Sequence, residues 1–247
     1  MAVTTVADGV HRISGAYVNF YVVAAEGGLT IVDSGLPAMW NVLQDALKGL
    51  GHSLEDIGAL VLTHAHFDHL GLARRLHREH RVPVWVHPED AFLARHPYRY
   101  SHEKSRLLFS LTHPAGVPVL ARMAGAGALK VHGLEDFSYL PGSGTLDVPG
   151  APEVIFSPGH THGHCGLFLR DRNVLFSGDA LVTLDPYTRR AGPRLVAGAA
   201  TANSAQNLET LTALAATGAE LVLPGHGEPW TEGIEEAVSI ARRNGPA

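Results

Sequence analysis

The chain holds one cysteine, Cys165, in 247 residues. An internal disulfide is therefore excluded, and so is a thiolate-rich zinc site. Positive charge is sparse: 19 Lys and Arg stand against 24 Asp and Glu, for a net charge of −5. No basic run is long enough to follow a phosphate backbone, so nucleic acid is not an expected partner. Long apolar runs are missing as well. None approaches the roughly 18–20 residues that a membrane helix needs, so no membrane partner is expected. The opening MAVTTVADGVHRISG has no basic stretch followed by an apolar one. No signal peptide is read there, and a cytoplasmic location is expected.

Histidine, with 16 copies, is the outlier in the composition. Hydrophobic residues make up 45% and charged residues 17%, the balance of a globular chain with ample core material. Residues 1–247 read as one domain. GVHRIS, NFYVVAA and LTIVDSG are strands bounded by Gly or Asp. PAMWNVLQDALKGLG is an amphipathic helix that Pro37 starts and Gly51 ends, with Met39, Val42, Leu43, Ala46, Leu47 and Leu50 as its apolar stripe. IGALVLT is apolar throughout, as a strand buried on both faces should be. GLARRLHREH reads as a helix and VPVWVHP as a strand.

Residues 89–140 break the pattern. They read as helical pieces with exposed-looking aromatics at Tyr98, Tyr100 and Phe109, an insertion or lid over a site. Strands return at EVIFSPG, CGLFLRD, NVLFSGDAL and AELVLPGHG. A helix between the last two has Ser204 as its N-cap and Gly218 as its stop, and GIEEAVSIARRN closes the chain as a helix. Strands, helix and strands again, twice over, predict an α/β fold of two sheets with helices on their outer faces.

The stretch THAHFDHLG carries His64, His66, Asp68 and His69 within six positions. On a helix, positions i and i+2 lie about 200° apart and cannot share an ion. On an extended strand they share a face. The cluster therefore belongs at a strand end running into a loop, with Gly71 opening a helix. It holds too many ligands for one ion and too few for two. His160 in SPGHTHGH, Asp179 in FSGDAL and His226 in LPGHGEP each follow an apolar strand-like run beside a glycine, and they supply the rest. Seven ligands suffice for two ions that share a bridging carboxylate, and imidazole with carboxylate suits zinc.

With these residues the chain resembles the metallo-β-lactamase superfamily across nearly its whole length, from IVDSG to LPGHG, and HAHFDH matches its H-x-H-x-D-H signature. The resemblance implies a four-layer αβ/βα sandwich and two Zn2+ per chain, with Fe or Mn as alternatives. It implies that His64, His66 and His160 hold one metal, that Asp68, His69 and His226 hold the other, and that Asp179 bridges them. Asp33 would support the site from behind. His164 and His162 lie close enough to His160 to orient a ligand, and His87 is a further candidate for that role. Cys165 packs on its strand, since nothing beside it would activate a thiol.

The resemblance also narrows the chemistry. True β-lactamases generally lack an aspartate bridge, so Asp179 points to the glyoxalase II-like and acyl-homoserine lactonase-like branches. Flavodiiron proteins usually carry Glu where His66 stands, which favours zinc. Only 21 residues follow His226, too few for the glutathione-holding helical domain of long glyoxalase II enzymes. The long segment between His69 and His160 is similar to that of the lactonases. There Tyr187, eight residues after Asp179, would donate to a substrate carbonyl, and Asp68 would steer the nucleophile or take up a proton. Arg189, Arg190 and Arg194 would meet a carboxylate or stay solvated. The expected activity is hydrolysis of a small ester, lactone or thioester by a metal-bridging hydroxide, in a monomer or homodimer. Phosphodiester or β-lactam hydrolysis and an iron-dependent persulfide dioxygenase stand as alternatives.

Overall fold

Residues 2–247 are described by a computed structural model. The first sheet runs in chain order through β1 (Ala2–Ala7), β2 (Val10–Gly15), β3 (Val18–Ala25), β4 (Gly28–Val32), β5 (Ile57–Val61), β6 (Val84–Val86) and β7 (Ser138–Tyr139). Its first four strands are antiparallel, and pairing from β4 onward is parallel. The second sheet contains β8 (Gly144–Thr145), β9 (Glu153–Phe156), β10 (Cys165–Leu169), β11 (Val174–Gly178) and, beyond a two-stranded ribbon of β12 (Val182–Leu184) and β13 (Ala191–Arg194), β14 (Leu221–Pro224). Its order is β14-β11-β10-β9-β8, and β14 runs parallel to β11.

The helices are α1 (Trp40–Gly49), α2 (Ala73–His80), α3 (Ala91–Arg95), α4 (Arg106–Thr112), α5 (Val117–Gly125), α6 (Ser204–Ala215) and α7 (Ile234–Asn244). Among the described residues, no helix is long and apolar enough to cross a membrane.

Alternation along the strands sorts the core into layers. In β3, Phe20 and Val22 face Leu43, Leu47 and Leu76 of α1 and α2. Tyr21 and Val23 face the second sheet, where Leu167, Val174 and Phe176 meet them. The rings of Tyr21 and Phe176 lie 5.2 Å apart across that interface. In β10 and β11 the outward residues Phe168 and Leu175 pack on Leu211 and Leu214 of α6 and Val238 of α7. Helices, sheet, sheet and helices make the four-layer αβ/βα sandwich expected from the sequence, because each sheet is apolar on both faces.

Helix ends follow local chemistry. In α7, Glu235 and Glu236 occupy the first turn and Arg242 and Arg243 the last, the polarity that suits the helix dipole. In α6 the cap differs from the sequence expectation. Asn203, not Ser204, is the N-cap, and its side chain accepts from the Gln206 amide at 3.0 Å. Ser204 is the first helical residue. Its amide and hydroxyl both donate to Glu103 from the insertion, at 2.8 and 2.6 Å, and that distant contact decides between two good capping residues. Gly71 does not open α2, which begins at Ala73. It lets two loops touch, since an added Cβ would lie 2.3 Å from the Gly35 carbonyl oxygen.

Residues 89–140 do form helices, α3 to α5, between β6 and β7. Their aromatics are not all exposed, however. Tyr100 and Phe109 are buried, because they turn toward the body of the protein. Tyr98 keeps its ring edge in solvent while its hydroxyl donates to the Ala128 carbonyl at 2.9 Å and accepts from the Val131 amide at 2.8 Å. The insertion instead exposes Leu107, Leu108 and Leu111 of α4.

Candidate metal centre

Four strand ends build the site. His64, His66, Asp68 and His69 lie in the loop that follows β5. His160 lies in the β9–β10 connection, Asp179 follows β11 directly and His226 follows β14. All of these are carboxyl ends of strands, the edge where α/β folds gather loops. The structure brings all seven side chains together, and each is buried.

Two triads are preformed. His64, His66 and His160 offer ligand atoms within 4.8 Å of one another, and Asp68, His69 and His226 do the same. A third such group, Asp33 with His64 and His69, overlaps them. Asp179 stands between the two triads. Its Oδ2 lies 3.5 Å from His160 Nε2 and 3.1 Å from His226 Nε2, and its Oδ1 lies 3.6 Å from His69 Nε2.

The outward nitrogens of the imidazoles are tied down. His69 Nδ1 donates to Asp33 at 2.9 Å and His226 Nδ1 to the Tyr17 carbonyl at 2.7 Å. His64 Nδ1 donates to Thr63 Oγ1 at 3.1 Å, while that hydroxyl donates onward to Asp33 at 2.8 Å. His160 Nδ1 donates to Thr201 Oγ1 at 3.3 Å, whose proton goes to the Val196 carbonyl. Each of these rings thus points Nε2 inward, the nitrogen that a cation would use. His66 differs: its Nδ1 faces His160 Nε2 at 3.0 Å.

These residues fit a cation. His64 Nε2, His66 Nε2, His69 Nε2 and Asp179 Oδ1 are buried without a hydrogen-bond partner, and such orphans are rare in a folded chain unless something else binds them. The charge pattern agrees. Burial holds His64 and His160 well below the usual imidazole range, and His66 falls to about 4 for the same reason. Burial also pulls on His69 and His226, but carboxylates overcome it. Asp33 and Asp179 raise His69 well above its usual value, and Asp179 with Asp68 raises His226 to about 10. The ionised carboxylates demand positive charge there, and a divalent cation supplies it as well as protons do.

The supporting residues expected from the sequence fall in two groups. Asp33, at φ 58, accepts from the Thr63 amide and hydroxyl as well as from His69. His164 reaches Asp179 through the backbone: its Nε2 accepts the amides of Asp179 and Ala180 at 3.1 and 3.2 Å, so its Nδ1 donates to Ser157 Oγ at 2.9 Å. Burial lowers its pKa to about 3, which keeps it an acceptor. His162 is exposed, and His87 stacks on Phe156 at 4.5 Å and accepts from the Glu89 amide; neither touches the centre. Cys165 is buried between the sheets and burial pushes its thiol up, as an inert core residue.

Above the two triads lies a cavity of about 20 Å³, walled by Phe67, Tyr100, Leu120, Met123, Tyr187 and Val196. That is room for about one water molecule. Tyr187 reaches it from a tight turn in which Asp185 accepts the amides of Tyr187 and Thr188. Arg189 and Arg190 are exposed, and Arg194 is bound to the carbonyls of Ala191 and Gly192; none of the three lines the cavity. A larger groove of about 600 Å³ beside Trp230 holds none of the seven residues.

Sequence reasoning missed several supports. Asn19 Nδ2 donates to the carbonyls of Pro224 and Gly227, which flank His226, and the Tyr21 hydroxyl donates to Pro224 as well. Their signal was one buried polar residue on a strand whose remaining positions are apolar.

The sequence profile of the metallo-beta-lactamase superfamily matches residues 13–226. A probable metallo-hydrolase of Bacillus subtilis, YflN, is 28% identical over 244 residues, covering 91% of this chain and 86% of its own. The N-acyl homoserine lactonase AttM of Rhizobium radiobacter is 28% identical over 223 residues, covering 78% and 76%. Among solved structures, the metallo-beta-lactamase family protein TTHA1429 of Thermus thermophilus superposes with a TM-score of 0.70 at 24% identity, over 97% of this chain and 80% of that one. The chain belongs to the metallo-β-lactamase superfamily and is a metallo-hydrolase of that superfamily.

Proposed function

We propose that the chain hydrolyses a small carbonyl substrate, an ester, lactone or thioester, at a centre of two divalent ions. The observation that carries this reading is the pair of buried triads facing one shared carboxylate, Asp179. His64, His66 and His160 would hold one ion, Asp68, His69 and His226 the other, and Asp179 would touch both. Their imidazole and carboxylate donors suit zinc, with iron or manganese as alternatives. When bound, such a pair polarises a carbonyl and lowers the pKa of water from 15.7 to about 7.

The side chains supply the rest. Asp68 Oδ2 lies 3.4 Å from His226 Nε2 at the floor of the cavity, where it orients the attacking water and takes up its proton. Tyr187 remains protonated, because burial raises its pKa and the neighbouring Tyr100 adds to that, so it donates a hydrogen bond to the substrate oxygen as charge develops. Leu120, Met123 and Val196 give the cavity an apolar wall suited to an acyl or alkyl portion. Among the described residues, no lysine or arginine lines the cavity, which favours a neutral reacting carbonyl over an anionic phosphodiester. The likeness to AttM supports the lactone among these classes. Residues 89–140 act as a lid, since room for one water admits no substrate until Tyr100, Leu120 and Met123 move.

The test is a hydrolysis panel on the full chain loaded with zinc, manganese or iron. It comprises homoserine lactones, aryl esters, S-lactoylglutathione, a cephalosporin and bis-p-nitrophenyl phosphate. Turnover of one or more of the lactone, ester and thioester substrates is expected to exceed that of the phosphodiester. Hydrolysis of the phosphodiester alone would overturn the reading.

A further inference from the structure

Asp90 stands where the chain leaves β6 and enters the insertion, and it is 2% exposed. A buried carboxylate is costly unless its oxygens are satisfied. Here all of its donors come from elsewhere in the chain. Oδ2 accepts from the Ala65 amide at 3.0 Å and from the Thr161 hydroxyl at 2.8 Å, and Oδ1 accepts from the Gly163 amide at 2.8 Å. Ala65 lies between His64 and His66. Thr161 follows His160 directly, and Gly163 stands two residues further on.

One side chain therefore joins the two segments that carry the first triad. The approach is too close for any residue but glycine at 163, where a Cβ would lie 2.6 Å from the Asp90 amide nitrogen. His64 and His160 are fixed at their outward nitrogens by Thr63 and Thr201, but those contacts set ring orientation. The separation of the His64–His66 turn from the His160 loop is set by backbone, and Asp90 clamps that backbone from both sides. Charge-assisted bonds to a carboxylate are shorter and stronger than neutral ones, so this clamp is stiff.

We propose that Asp90 is a positioning residue for the cation held by His64, His66 and His160, fixing the span between the two loops that provide those ligands. The proposal rests on the metal-binding part of the function given above. It also couples the insertion to the centre, because Asp90 is the last residue before α3.

The test uses the full chain, metal-free and then titrated with Co2+, following its visible absorption and its competition with a chelator. The variants are Asp90→Asn and Thr161→Val. Asparagine keeps the shape but turns an N–H toward one of the three donors. Asp90→Asn is expected to weaken one of the two Co2+ equivalents by roughly 10–100-fold and to change its visible band, the size found when supports of metal ligands are removed. The other equivalent holds its wild-type affinity. Thr161→Val, which removes one donor and leaves the carboxylate, moves the same equivalent by less. Thermal unfolding of the metal-free proteins is measured alongside. Unchanged cobalt affinity and spectrum in both variants overturns the proposal, and so does a parallel loss of both equivalents that tracks a lower metal-free melting temperature. If Asp90→Asn does not fold, Thr161→Val decides by the same criteria. A wild-type chain that binds no Co2+ overturns the metal reading itself, an outcome distinct from variants that bind like the wild type.

Discussion

Asp33 Oδ2 lies 2.9 Å from His69 Nδ1, and the same carboxylate takes the amide and hydroxyl protons of Thr63. One acid thus orients His69 directly and His64 through Thr63. It does so from a left-handed backbone conformation, φ 58, which aspartate tolerates better than most residues.

Removing that carboxylate tests its role. Asp33→Ala frees the His69 ring and leaves the Thr63 amide unpaired. Metal affinity, read by competition with a chromophoric chelator, is expected to fall by roughly 10–100-fold. An affinity equal to that of the wild type would show that His69 needs no outside partner.

Asn19 offers a second test, on stability. Its side-chain amide donates to both carbonyls that flank His226, and its own amide donates to Gly225 at 2.8 Å. Asn19→Ala removes one donor from each carbonyl, leaving Pro224 to the Tyr21 hydroxyl and Gly227 to Arg12, at a cost of about 0.5–1.5 kcal/mol per lost bond. Asn19→Asp should cost more, because it sets an acceptor against acceptors. Urea unfolding of the metal-free protein measures both; equal midpoints for the three chains would refute the assignment.

A third prediction concerns space alone. A Cβ at position 225 would lie 2.1 Å from Asp179 Oδ1 and 2.7 Å from His69 Cε1. Gly225→Ala must push Asp179 out of line. Displacements near 1 Å at a reacting centre can cost about 10²-fold in rate. Activity and metal content should both drop while circular dichroism stays native; retention of both would mean that the Asp179 position is not critical.

Much of this was legible in the sequence because the ligands announce themselves. His64, His66, Asp68 and His69 are crowded at one strand end, and His160, Asp179 and His226 each follow an apolar strand beside glycine. The order of strands, helix and strands, repeated twice, likewise pointed to two sheets. What stayed hidden depends on long-range contacts. Asp90 in HPED reads as one more surface charge, yet its partners lie 25, 71 and 73 residues away. Ser204 and Asn203 are both good caps, and Glu103 from the insertion takes Ser204 out of contention. The β12–β13 ribbon has strands of 3 and 4 residues and a proline, too short for a period to emerge. The burial of Tyr100 and Phe109 is set by where the insertion folds back, which no local pattern records.

The two triads share one trait. His64 and His66 come from the first sheet's side of the chain and His160 from the second's; Asp68 and His69 likewise need His226. Neither of these two triads is finished within one half of the polypeptide. Residue 226 must be present before the second can close, so a chain cut short of it lacks that triad however well its first sheet folds.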